Sequence, residues 1–215
     1  VLFDMDGSLV DTEPIWHAAE VDLMASYGAT WTEADQAHAL GGPMLRVGRY
    51  ITERLADHGV LEMTPEQALR ELLAHFERHL DAGDIEAHDG AAALLMEAMA
   101  AGLPLALVSN STRRLMDKVL AAHPEYRFDV TIAGDEVVLA KPDPGPYLAA
   151  AERLGVPIAD CLIVEDSPTG VAAARDSGAA VVAVQHMGQL DPGPRGIVVE
   201  RLDGLTLAEL AGRLR

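Results

Sequence analysis

Asp4 and Asp6 stand one residue apart, directly after the short apolar run Val1-Leu2-Phe3. Two carboxylates at the end of a buried strand are costly unless something positive holds them. A hard divalent cation meets that need, with oxygen ligands from Asp4 and from a distant carboxylate such as Asp166. Asp4-Met5-Asp6-Gly7 alone reads equally well as a turn, because Asp-Gly pairs are common there. Three other stretches change the balance. Val108-Ser109-Asn110-Ser111 would set a hydroxyl and free backbone N–H groups at a strand-to-helix turn, a natural cradle for phosphate. Lys141-Pro142-Asp143-Pro144 offers a fixed cation in a chain with only two lysines, Lys118 and Lys141. Asp143 is expected there as a helix N-cap, with Pro144 at the first helical position. Val164-Glu165-Asp166-Ser167-Pro168 ends a further apolar run with two carboxylates, then caps a helix with Ser167 and Pro168.

The elements that must position these groups are legible as apolar runs. Leu105–Val108, Cys161–Val164 and Ala180–Val184 are continuous apolar strands, each following a helical segment. Val130–Ile132 is a weaker fifth strand and Ile197–Val199 a sixth. Apolar strands alternating with helices predict a parallel sheet covered on both faces, an α/β fold of three layers. Ligands of such sheets sit at the carboxyl ends of the strands, where Asp4, Ser109, Glu165 and Asp166 fall. From about residue 14 to residue 85 the strands disappear and helical spacing takes over. Trp16, Ala19, Leu23, Met24 and Tyr27 share one face of a helix that Pro14 opens and Gly28 stops. Thr64-Pro65-Glu66-Gln67 is a capping box with proline at the first helical position. The expected organisation is a Rossmann-like core of residues 1–13 and 86–215, with residues 14–85 inserted as a helical cap over the strand ends.

Composition narrows the partners. The formal charge of −18 repels phosphate backbones, so nucleic acid is a poor ligand. A small anionic substrate would need local positive charge from a metal, Lys141 or arginines. The single cysteine, Cys161, rules out an internal disulfide framework and reads as a small core residue. No apolar run is long enough to span a membrane, and no charged leader precedes one. A cytoplasmic monomer is expected, with a few residues missing before Val1 because no initiator methionine is present. His75 and His79 share a helix face without the glutamate of a zinc protease, and are read as solvated or packing histidines. Arg113 and Arg114 are read as helix-surface residues.

Asp4 to Asp11, Ser109, Lys141 to Pro144 and Glu165-Asp166-Ser167 resemble, in order, the four motifs of the haloacid dehalogenase superfamily. The resemblance spans essentially the whole chain, helical cap included, with Ser8 where threonine is usual. It implies that Asp4 is a nucleophile forming an aspartyl-phosphate, and that Asp6 is the general acid and base. It also implies Mg2+ held by Asp4, the Asp6 backbone carbonyl and Asp166, with Glu165 a helper. Ser109, Asn110 and Lys141 would bind the phosphoryl oxygens.

Within the superfamily, dehalogenases do not keep the second aspartate as acid/base, so Asp6 argues for phosphate. The cap contains no lysine, which excludes the Schiff base of phosphonoacetaldehyde hydrolases. β-Phosphoglucomutases carry a histidine where Trp16 stands and grip a second phosphate from a loop matching Gly41-Gly42-Pro43-Met44. Asp11-Thr12-Glu13-Pro14-Ile15-Trp16, with Ala19-Glu20 and Met24, looks more like the hexose- and hexitol-phosphate phosphatases of 2-deoxyglucose-6-phosphatase type. The resemblance therefore implies hydrolysis of a small phosphate monoester, with phosphosugar mutation as the alternative. A phospho-accepting or catalytically inactive binding protein is a more distant reading. Glu13, Trp16, Met44, Arg46 and Arg49 are the candidates for substrate selectivity.

Overall fold

The computed structural model describes residues 1–39, 44–60, 62–82, 85–185 and 189–214. Its chain divides into two compact units, Val1–Asp11 with Glu86–Arg215, and Thr12–Ile85.

The larger unit is built on a six-stranded parallel sheet. In chain order the elements are β1 (Leu2–Phe3), β2 (Val10–Asp11), β3 (Glu86–Ala87), α1 (Asp89–Ala100), β4 (Ala106–Val108), α2 (Arg113–Ala122) and β5 (Val130–Ile132). Then come α3 (Gly145–Leu154), β6 (Leu162–Glu165), α4 (Pro168–Ser177), β7 (Ala180–Val184), β8 (Gly196–Val199) and α5 (Leu207–Arg213). The strand order is β5-β4-β1-β6-β7-β8. β1 is central, pairing Leu2 with Ala106 and Ile163, and Phe3 with Leu107 and Val164. The chain winds from β1 through β4 to one edge, and from β6 through β7 to the other. That reversal opens a crevice at the carboxyl ends of β1, β4 and β6.

The apolar runs form this sheet because both of its faces are dry. Leu2, Ala106, Val108, Ile163 and Val181 pack with Tyr147, Ala150, Ala173 and Ala174 of α3 and α4. Phe3, Leu107, Val164 and Val182, pointing to the other face by strand alternation, are equally buried. Cys161 joins the first of these cores. Two short segments carry no signal in the sequence: β2 and β3 pair antiparallel as a separate ribbon, Val10 with Ala87 and Asp11 with Glu86.

The smaller unit is helical: α6 (Glu13–Ser26), α7 (Glu33–Ala39), α8 (Met44–Ala56) and α9 (Pro65–Ala82). α6 and α8 both pack on α9. Trp16 lies against Phe76, ring centres 3.9 Å apart. The capping box forms as expected, with Thr64 N–H donating to Gln67 Oε1 and Gln67 N–H to Thr64 Oγ1. Asp35 ties α7 to α8, accepting from Tyr50, Arg54 and Thr32. Among the described residues no helix is long and apolar enough to cross a membrane.

Glu20 on α6 sits uneasily in this unit. It is 4 % exposed, and its Oε2 finds no hydrogen-bond partner among the described residues. Burial raises its carboxyl to about 7, against a smaller opposing effect from Trp31. The folded state therefore holds the Glu20 proton more tightly than the unfolded chain does. A penalty sets in as pH rises past the ordinary glutamate value and is complete above about 7. Glu20→Gln is expected to be more stable than the parent at pH 8 by up to about 3 kcal/mol. The gain should shrink to below about 1 kcal/mol at pH 5. Urea unfolding at the two pH values checks this, and a pH-independent difference would contradict it.

Candidate active site

Each functional side chain leaves the sheet at a strand end. Asp4 follows β1 and continues its ladder, donating its N–H to Val164 O. The loop then turns tightly, with Gly7 N–H donating to Val10 O and Leu9 and Val10 N–H to Met5 O. Gly7 has φ +81°, and a Cβ there would strike the Asp166 carboxylate. Only glycine serves both requirements. The Ser8 hydroxyl reaches across to donate to Asp166 Oδ1 at 3.0 Å, so the departure from threonine keeps this bond.

Lys141 is the hub. It is 6 % exposed, and its Nζ donates to Asp4 Oδ1 at 2.6 Å, Val108 O at 2.8 Å and Glu165 Oε1 at 2.8 Å. Its backbone is fastened by Asn110, whose side chain accepts from Lys141 N–H and donates to Lys141 O. The Asn110 side chain thus holds the lysine loop in place. One correction concerns the next helix. It begins at Gly145 with Pro144 as N-cap, and the Asp143 carboxylate accepts from Gly145 N–H.

Asp6 is aimed by two hydroxyls, Ser109 Oγ at 2.9 Å and Ser111 Oγ at 2.8 Å, both donating to its Oδ2. Ser109, a candidate for binding the phosphoryl group, is joined to the second aspartate by this bond. Ser111 shares that work, and nothing in the sequence marks it beyond its place in the same turn. Ser167 caps α4 as expected, accepting from Gly170 N–H. The Asp6 side chain stands outside the acidic group formed by Asp4, Glu165 and Asp166, whose oxygens come within 4.8 Å of one another.

Glu165 differs from its two neighbours. It is fully buried, and its oxygens already accept five hydrogen bonds. Lys141 and Tyr147 serve Oε1, while Asp166 N–H, Ser167 N–H and Ser167 Oγ serve Oε2. A carboxylate so occupied is a fixed counter-charge for Lys141 rather than an open ligand. α4 reinforces it from below, since a Cβ on Gly170 would collide with the Glu165 carboxylate.

Negative charge is in excess among these side chains. Burial, then the charge of Glu165, push Asp4 up to about 7 despite Lys141. Burial, then Asp4 and Glu165, hold Asp166 well above the ordinary aspartate range. Burial alone would lower the Lys141 ammonium, but Asp4 and Glu165 outweigh it and keep it charged. Among the described residues, one lysine thus faces three converging carboxylates. An all-oxygen donor set with excess negative charge fits a hard divalent cation such as Mg2+, held by Asp4 and Asp166.

The remaining candidates lie in the helical unit. Glu13 and Trp16 occupy the first turn of α6, both half-buried. Met44, Arg46 and Arg49 are exposed at the start of α8. Gly41-Gly42-Pro43, the loop compared with the mutases, falls outside the described residues.

Crevice, paired aspartates and buried lysine together define a class of enzyme. A family model described as haloacid dehalogenase-like hydrolase matches residues 1–178. The chain belongs to that family. It is similar to a phosphorylated carbohydrates phosphatase of Thermotoga maritima, 32 % identical over 179 residues, covering 83 % of this chain and 81 % of that one. It is also similar to the bifunctional riboflavin kinase/FMN phosphatase of Arabidopsis thaliana, 31 % identical over 189 residues. That match takes 87 % of this chain but 48 % of the plant protein, so the chain spans about half the relative's length. Among solved structures, CbbY from Rhodobacter sphaeroides in complex with phosphate superimposes with a TM-score of 0.78 at 25 % identity. The superposition covers 98 % of this chain and 97 % of that one.

Proposed function

We propose that this chain is a Mg2+-dependent phosphatase of small phosphate monoesters, with hexose or hexitol phosphates as the substrate class. The observation that carries the proposal is the shared crevice. The buried Lys141 in contact with Asp4, and an Asp6 separately aimed by Ser109 and Ser111, meet where three strands end.

In this reading Asp4 attacks phosphorus in line and the ester oxygen departs. One hard displacement becomes two easier ones, through an aspartyl-phosphate. Asp6, fixed by Ser109 and Ser111, protonates the leaving oxygen. It then takes a proton from the water that cleaves the acyl phosphate. Lys141 offsets charge on the transferred group and favours the ionised, attacking form of Asp4, against burial and Glu165. Mg2+, held by Asp4 and Asp166, would supply Lewis-acid stabilisation of the phosphoryl oxygens. Selectivity is assigned to the helical unit, with Glu13, Trp16, Met44, Arg46 and Arg49 as its candidates. The similarity to a phosphatase of phosphorylated carbohydrates supports a sugar-phosphate substrate. The acidic surface supports a small ligand rather than nucleic acid.

The test is a panel of phosphate esters assayed with and without Mg2+. Release of inorganic phosphate from hexose or hexitol phosphates, lost on chelation, is the expected result. Conversion of β-glucose 1-phosphate to glucose 6-phosphate, primed by a bisphosphate, would instead make the chain a mutase.

A further inference from the structure

We infer that Tyr147 is a positioning residue for the proposed reaction, setting through Glu165 where the Lys141 ammonium stands against Asp4. The inference rests on the phosphatase reading for what the ammonium does, while the geometry stands on its own.

Tyr147 lies on the first turn of α3 and is fully buried. Its hydroxyl donates to Glu165 Oε1 at 2.7 Å, the same oxygen that accepts from Lys141 Nζ at 2.8 Å. Nζ also stands 4.7 Å from the centre of the Tyr147 ring. The residue therefore meets the lysine twice, directly through its ring and indirectly through the carboxylate.

The ammonium has three protons, and three acceptors receive them: Asp4 Oδ1, Val108 O and Glu165 Oε1. Lysine is a point charge on a flexible stem, so its acceptors decide where that charge rests. Of the three, Val108 O is fixed by the sheet. Glu165 Oε2 is pinned by Asp166 and Ser167, which leaves Oε1 as the adjustable contact. The Tyr147 hydroxyl closes that freedom by filling the second lone-pair direction of Oε1. A phenylalanine would fill the same apolar space and keep the ring beneath the cation. Burying a hydroxyl there adds nothing to packing, so its bond to Glu165 is what explains it.

Without the hydroxyl, Oε1 can turn toward Nζ and draw the ammonium from Asp4. Displacement of this kind weighs most in the transition state, where charge on the transferred group must be met at a fixed place. The effect belongs in kcat rather than in KM.

Tyr147→Phe tests this with two readouts. The first uses the rarity of lysine: 15N-lysine labelling yields two side-chain signals, from Lys118 and Lys141. The Lys141 signal is expected to shift or broaden in the variant while that of Lys118 stays in place. The second is turnover of the best ester from the panel. There kcat should fall about tenfold with KM changed less than twofold. The thermal midpoint should stay within a few degrees of the parent, because the ring remains. An unmoved Lys141 signal would overturn the inference, as would a moved signal with unchanged kcat. A fall in kcat matched by loss of folded protein would also overturn it. If the parent hydrolyses no ester, the phosphatase reading fails, and the Lys141 signal alone decides whether Tyr147 places the ammonium.

Discussion

Replacing Asp4 by asparagine is expected to abolish phosphate-ester hydrolysis, lowering kcat by at least about a thousandfold. The amide is nearly the same size and can still accept from Lys141, so the fold has little to lose. What disappears is the proposed nucleophile, and with it the aspartyl-phosphate that the proposal requires. A gain in stability is expected alongside. Asp4 carries a charge that its surroundings resist, since burial and Glu165 both work against it. The asparagine variant should therefore be at least as stable as the parent in chelator. Mg2+ should raise the thermal midpoint of the parent and do so much less for the variant, because one of the two open carboxylates is gone. Loss of turnover together with a lower midpoint in chelator would mean that Asp4 is a structural anchor. Full turnover in the variant would remove Asp4 from the chemistry altogether.

Replacing Lys141 by methionine is expected to cost both activity and stability. The side chains are similar in length, so packing is largely kept while the charge is lost. Asp4 and Glu165 would then face each other without a cation, and Val108 O would lose its donor. Removing one partner from a buried pair typically costs about 3–5 kcal/mol, because the other charge is left uncompensated. For a domain with roughly 5–15 kcal/mol in hand, that is a large fraction. Urea unfolding of the metal-free protein measures it. Adding Glu165→Gln to Lys141→Met should recover part of the loss, since it removes one of the orphaned charges. A double variant no more stable than the single would show that Glu165 is held by its bonds from Tyr147, Asp166 and Ser167 and needs no counter-charge.

Much of this site is legible in the amino-acid sequence, for a physical reason. Strands buried on both faces must be continuously apolar, so their ends are visible as abrupt changes of polarity. Asp4, Ser109 and Glu165-Asp166 all fall at such changes. The spacing of Thr64 to Gln67 likewise declares the start of α9. What stays hidden depends on which atoms meet. Glu165 and Asp166 are adjacent carboxylates in the sequence, yet one is saturated by donors while the other accepts from Ser8 and lies beside Asp4. Tyr147 in an alanine-rich helix looks like any core aromatic, and only its hydroxyl's partner gives it a role. Asn110 reads as part of a phosphate cradle, but nothing in its spacing shows that its side-chain amide clasps the Lys141 peptide. The β2–β3 ribbon is two residues a side, too short to carry a period, and its strands are separated by the whole helical insertion.

The central place of β1 has a bearing on how the molecule is made. Its two residues pair only with β4 and β6, both about a hundred residues or more further along the chain. Neither ladder is local, and loops of that length must be closed before either contact contributes. Asp4 precedes every other site residue in the chain, yet it can be set in place only after Glu165 exists. The proposed nucleophile is thus assembled late, and a nascent or truncated chain ending before β6 would carry Asp4 without the rest of the candidate site. Catalytic competence becomes a report that the sheet has closed.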